Sequence, residues 1–196
     1  MERICIPREE FGERVRKAQK LMAEQGIDVM FAFANEAEPQ FVRYLSDYWP
    51  SFETAAVLFG RKGDPLLLIG PESLTYAEDR SKIRDIRRIK CFRESSNPEY
   101  PGVKLDTLEE ALEAVRTDTI KTLAVAGYNL LPYIVYEDLK KALERFGDVQ
   151  IVRGDDLLMT LRKVKSPAEL ACLRKAGEIT VKALENELAH IKPGMT

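Results

Sequence analysis

Between Arg8 and Gln25 the apolar residues Phe11, Val15, Ala18, Leu21 and Met22 recur at steps of three and four, charged residues fill the positions between, and Gly26 stands where a left-handed C-cap belongs. That spacing predicts an amphipathic helix. The run Ile27 to Phe33 follows at once, bounded by Gly26 and the polar Asn35-Glu36, too short for a helix of its own; it predicts a largely buried strand. Two more apolar runs, Thr54 to Phe59 and Leu66 to Ile69, flank Gly60-Arg61-Lys62-Gly63-Asp64-Pro65 and predict an antiparallel hairpin. Further on, the pattern predicts a short helix from after Pro71 to about Ser81, a strand over Ile86 to Phe92, and a loop from Glu94 to Gly102 marked by Asn97-Pro98 and Pro101-Gly102. A helix over Asp106 to Arg116, a strand over Ile120 to Ala126, a helix over Tyr133 to Phe146 and a strand over Val149 to Val152 complete the series. Helices alternating with strands predict an α/β fold in which a mixed sheet is flanked by helices.

The end of the chain differs in kind. Asp155 or Asp156 is placed to cap a short helix through Leu157, Leu158 and Leu161. Ser166-Pro167-Ala168-Glu169 then opens another, with Ser at the N-cap, Pro at the first helical position and Glu three residues after the Ser, the pattern of a capping box. This helix runs to about His190 with Leu170, Leu173, Gly177, Val181, Leu184, Leu188 and Ile191 on one side, a length of roughly 37 Å at 1.5 Å per residue. Little sheet is left for it to cover, so it reads as a connector whose apolar stripe is meant for something further on. The chain accordingly divides into an α/β domain over 1–160 and a connector helix over 161–196.

Composition narrows the classes. Apolar residues make up 45% and charged residues 32%, within the range of chains that fold. Thirty Lys and Arg against 32 Asp and Glu leave a net charge of -2, which gives no general field for nucleic acid or an anionic membrane. The densest basic stretch, from Arg80 to Arg93, holds seven Lys or Arg interleaved with isoleucines, and reads as a solvated sheet edge rather than a nucleic-acid surface. No apolar run approaches the roughly 20 residues of a membrane span, and the first residues lack the apolar stretch of a signal peptide, so a soluble protein is expected. Cys5, Cys91 and Cys172 are too far apart for a paired motif; a reducing, cytoplasmic setting fits them. His190 is the only histidine, which excludes a His pair on a helix and leaves carboxylates alone for any metal site. For Asp155-Asp156, capping is favoured over metal ligation. Phosphate-loop, dinucleotide-binding and nucleophile-elbow motifs are all absent.

The segment Phe41 to Phe52 gathers five aromatic residues, including the only Trp, in what is expected to be a loop. Aromatics there suit a binding rim, because they offer large contact area at small entropy cost; they equally suit a plug at the end of the sheet. Tyr44, Asp47, Tyr48, Trp49 and Phe52 are the candidate substrate- or partner-facing residues.

Several stretches also match a known pattern: the opening helix with Arg14; Gly26-Ile27-Asp28 leading into the first strand; Tyr44-Leu45-Ser46; Leu161-Arg162-Lys163-Val164-Lys165-Ser166-Pro167-Ala168-Glu169-Leu170; Leu173-Arg174-Lys175-Ala176; and Pro193-Gly194-Met195-Thr196. Together they resemble the N-terminal domain of the creatinase/prolidase, or pita-bread, family. One departure is Ser46-Asp47, where the family usually has Thr-Gly. The resemblance implies that the two-metal site of two Asp, one His and two Glu belongs to a C-terminal domain, so that no catalytic or metal-binding residue is expected in this chain. A divalent pair, manganese, cobalt or zinc, is expected in that absent domain. The implied function is that of a non-catalytic N-terminal domain of an Xaa-Pro dipeptidase or aminopeptidase, helping to form a homodimer and to shape the active site around a peptide substrate. Two alternatives stand beside it: a stand-alone protein- or peptide-binding module, and the N-terminal domain of a creatinase-like non-peptidase hydrolase.

Overall fold

The computed structural model describes residues 4–94 and 100–195. Of the sequence signals named above, Asn97-Pro98 and Thr196 lie outside the described residues. Helix α1 (Arg8–Glu24) buries Phe11, Val15, Ala18 and Met22 and leads through Gly26 into β1 (Val29–Ala34). Then come α2 (Gln40–Ser46), β2 (Ala55–Gly60), β3 (Leu66–Ile69), α3 (Leu74–Arg80) and β4 (Ile86–Arg88). The second half holds α4 (Leu108–Val115), β5 (Thr122–Ala126), α5 (Tyr133–Leu143), β6 (Gln150–Arg153), α6 (Asp155–Lys163) and α7 (Pro167–His190).

The six strands form one mixed sheet in the order β4-β3-β2-β1-β5-β6. β2 pairs antiparallel with both β1 and β3, while β1 with β5, β5 with β6 and β3 with β4 are parallel, so β2 alone runs against the others. β1 is central and buried along its whole length. Its side chains alternate between two cores: Met30, Ala32 and Ala34 meet α1, α2 and α6 on one side, while Val29, Phe31 and Phe33 meet α4, α5 and Phe92 on the other. This is the three-layer arrangement that alternating periodicities predict.

Two features pin the layers. Asp28 accepts the backbone N–H groups of Lys121 and Thr122 at 2.8 and 2.9 Å and ion-pairs with Arg61 at 2.8 Å, tying the start of β1 to the start of β5 and to the β2–β3 turn. Gln19 of α1 donates to the carbonyls of Gly60 and Gly63 at 3.0 and 2.9 Å, which seats the helix on the same turn.

Three local expectations change. The strand expected over Ile86 to Phe92 stops at Arg88, and Lys90–Phe92 makes one tight 3-10 turn. The turn brings the Phe92 ring edge-on to Phe31 and Phe33, with centroids 6.3 and 5.8 Å away, and aromatic packing overrides extension of the sheet edge. The loop expected around Phe41 is instead α2, whose Phe41, Val42 and Leu45 form a buried stripe behind Pro39. Neither Asp155 nor Asp156 caps α6: Gly154 holds that position with no side-chain cap. Asp155 instead accepts the N–H of Gly127 at 3.2 Å and ion-pairs with Arg153 at 3.2 Å, joining the ends of β5 and β6. Gly127 is required there, because its φ is +81° and a Cβ would lie 2.5 Å from the Phe33 carbonyl oxygen.

The capping box at Ser166 and Glu169 forms as expected. Helix α7 that follows contains no buried residue, and Leu173, Val181, Leu184, Leu188 and Ile191 are each more than half exposed. Among the described residues no helix is long and apolar enough to cross a membrane.

Candidate functional site

Because only β2 is reversed, the carboxyl ends of the other five strands gather at one edge of the sheet. In open α/β sheets this is the edge where ligands bind, since the connections there diverge to opposite faces. Here α2 follows β1 onto one face, while α5 follows the neighbouring β5 onto the other. A recess of about 490 Å³ opens at this edge, lined by Asn35, Glu36, Ala37, Phe52, Glu53 and Thr54. A larger groove of about 620 Å³ lies at the opposite edge, between the start of α1 and the residues that precede β3 and β4. None of the five sequence candidates lines it.

The structure splits those candidates. Trp49 stands at the rim of the recess, 42% exposed, its Nε1 donating to the Glu36 carbonyl at 2.9 Å and the Arg43 guanidinium 4.7 Å over its ring. Phe52, 45% exposed, forms a wall of the same recess. Both border that recess, Trp49 through its bond to Glu36. Tyr48 does not join them: it is 1% exposed and packs against Tyr76 with centroids 5.5 Å apart. Burial pushes its hydroxyl up to about 12, with a hydrogen bond between it and Ser73 working the other way. Tyr44 sits on the inner side of α2, its ring under the Arg14 guanidinium at 4.4 Å, and burial raises its pKa as well. Asp47 ends α2 in the left-handed region at φ 62°, its N–H donating to the Arg43 carbonyl at 2.9 Å and its carboxylate paired with Lys82 at 2.9 Å. Glycine occupies such a position without strain, and Asp is one of the few other residues that visits it.

Behind the rim lies a group that spacing did not announce. Glu53 is 2% exposed; its carboxylate accepts the Ser73 hydroxyl at 2.5 Å and the Glu72 N–H at 3.2 Å, fixing the loop that leads into α3. Burial raises its pKa, and those hydrogen bonds draw it back. Gly70 leaves the space, for a Cβ there would lie 2.1 Å from the carboxyl group. No motif carries this signal, because a lone Glu beside a Phe reads as surface until the fold closes over it.

The remaining charged candidates are structural. Arg87 of the basic stretch pairs with Asp85 at 2.6 Å and Asp106 at 3.3 Å on the edge strand β4. His190 is exposed, its Nδ1 2.7 Å from the Asn186 carbonyl. Among the described residues no three His, Cys, Asp or Glu side chains converge to hold a metal ion.

The sequence profile of the Creatinase/Prolidase N-terminal domain matches residues 14–164, a stretch that opens inside α1 and closes at the end of α6. The chain belongs to this family. Ectoine hydrolase of Halomonas elongata is 25% identical to it, aligned over the whole chain but only 48% of that protein. The chain thus spans about half the length of the curated relative it matches. Among solved structures, the prolidase of Pyrococcus horikoshii OT3 superposes with a TM-score of 0.65 at 23% identity, covering 93% of this chain and 44% of the prolidase. The Xaa-Pro dipeptidase of Bacillus anthracis superposes with a TM-score of 0.66 at 20% identity, covering 95% and 45%. At such identities these structures establish the creatinase/prolidase N-terminal fold for the mixed sheet and its flanking helices.

Proposed function

We propose that the chain is the non-catalytic N-terminal half of a metal-dependent hydrolase of the Xaa-Pro dipeptidase or aminopeptidase type, with 1–160 as the folded domain and 161–196 as the connector to a catalytic domain. The observation that carries this reading is α7: a long capped helix with no buried residue and an apolar side left open, in a chain that covers 44% of the Pyrococcus horikoshii prolidase and 45% of the Bacillus anthracis dipeptidase. The catalytic domain would supply the divalent metal pair, manganese, cobalt or zinc, and with it the activated water for hydrolysis. Trp49 and Phe52, in a homodimer, would face the partner subunit's active-site mouth and the peptide substrate. Three free cysteines support a reducing, cytoplasmic location.

The test compares the purified chain with the same chain joined to its catalytic half. The chain alone should not cleave an Xaa-Pro dipeptide in the presence of manganese or cobalt. In the joined protein Trp49→Ala should raise KM or weaken the dimer while leaving the unfolding midpoint of the isolated domain nearly unchanged. A loss of about 3–5 kcal/mol of stability, the range for emptying a core, with KM and dimer unaltered would overturn the rim role. Similarity to ectoine hydrolase favours a second reading, a creatinase-like non-peptidase hydrolase. Turnover of ectoine but not of a proline dipeptide by the joined protein would select it.

A further inference from the structure

Arg14 is a guanidinium only 4% exposed, and it reaches three helices. Its Nη2 meets Glu10 of α1 at 2.6 Å and Glu169 of α7 at 3.3 Å, and its Nη1 donates to the Tyr44 carbonyl of α2 at 2.8 Å. The planar group also lies 4.9 Å from the Phe11 centroid and 4.4 Å from that of Tyr44. Lysine could not replace it, for an ammonium lacks the flat fork that reaches several acceptors while stacked on rings.

Glu169 is shared between two tasks. One carboxylate oxygen accepts the Ser166 N–H at 2.8 Å inside the capping box; the other faces Arg14. The side chain that starts α7 therefore also fastens it to the body. Half-buried positions on α7 end at Lys175, and every described residue from 176 onward is exposed, so attachment is confined to the first two and a half turns. The 24 residues of α7 make a lever of about 36 Å at 1.5 Å per residue, on which a tilt of about 10° at the base moves the far end by about 6 Å.

We propose that Arg14 and Glu169 form the pin that sets the direction of α7, so that a single ion pair decides where anything attached beyond the helix is placed. The pair acts through orientation. Breaking it frees the lever while leaving the helix and the sheet intact.

The experiment measures the distance between spin labels on ketone-bearing residues introduced at Lys140 on α5 and Glu187 near the end of α7, with circular dichroism and thermal unfolding run alongside. Glu169→Gln is the informative variant, because Gln at that position preserves the capping box and removes only the charge. The unaltered chain should give one narrow distance; Glu169→Gln and Arg14→Gln should each broaden it and shift it by about 5–10 Å, the scale the lever arm sets, with helix content retained. The double variant should add nothing to either. Glu10→Gln removes a partner of Arg14 within α1 itself, and should change stability without changing the distance. A distance distribution in Glu169→Gln that matches the unaltered chain overturns the proposal, as does equal broadening by Glu10→Gln, which would mark general loosening. Should Arg14→Gln fail to fold, the contrast between Glu169→Gln and Glu10→Gln decides the matter alone.

Discussion

Asp47 holds a left-handed backbone at φ 62°, a conformation that costs an ordinary L-residue about 1–2 kcal/mol, offset in part by its pair with Lys82. Asp47→Gly should therefore keep or raise the urea midpoint, whereas Asp47→Val should lower stability by about 1–2 kcal/mol; an unaffected valine variant would mean that the turn relaxes. Tyr48 offers a pH test. Its folded hydroxyl titrates at about 12 against 10.0 unfolded, so the folded chain holds that proton more tightly. Its contribution is fully present below pH 10 and is lost as pH rises toward 12. Tyr48→Phe should flatten the fall of the thermal midpoint across that window, and an unchanged slope would contradict the assignment. At this scale the sequence was partly legible. Trp49 and Phe52 are exposed beside the recess, whereas Tyr44 and Tyr48, in the same dozen residues, turn inward: Tyr44 lies on the buried side of α2 under Arg14, and Tyr48, just past the helix, packs against Tyr76. The spacing of Phe41, Val42 and Leu45 carried the signal for α2, and the density of aromatics masked it.

Elements with both an apolar period and a cap were the most legible. α7 begins where Ser166, Pro167 and Glu169 place it, since each satisfies a local backbone requirement that tertiary packing does not alter. α1, with its regular stripe and Gly26, follows the same rule. β4 failed it, as Phe92 finds better company among Phe31 and Phe33 than along the sheet edge. Side chains that link distant elements were the least legible, Asp28 most of all: it stands in the run Ile27 to Phe33 with nothing to single it out, yet it serves a strand more than ninety positions away. Asp28→Ala strips two backbone N–H groups of their acceptor and should cost about 1–3 kcal/mol in chemical denaturation. Asp28→Asn, which keeps an acceptor, should cost less; equal costs would assign the effect to the Arg61 pair instead.

For the whole molecule, the apolar side of α7 is a surface rather than a core. Leu184→Gln and Leu188→Gln should each shift the stability of the isolated chain by no more than about 0.5 kcal/mol in chemical denaturation, as expected for exposed sites. A larger loss would place those leucines against the body. The sheet order has a consequence for how the chain is made. β1, β2 and β3 form a meander from nearby sequence, whereas the other flank of β1 waits for β5, which has not yet been synthesised when the meander is complete. During that interval the ribosome holds out a half-built sheet whose central strand, Val-Met-Phe-Ala-Phe-Ala, presents an unpaired and entirely apolar border. Closing it requires a loop of roughly ninety residues, a slow step next to the local hairpins. A nascent chain stalled between β3 and β5 would be the species most prone to stick to its neighbours and most in need of a chaperone.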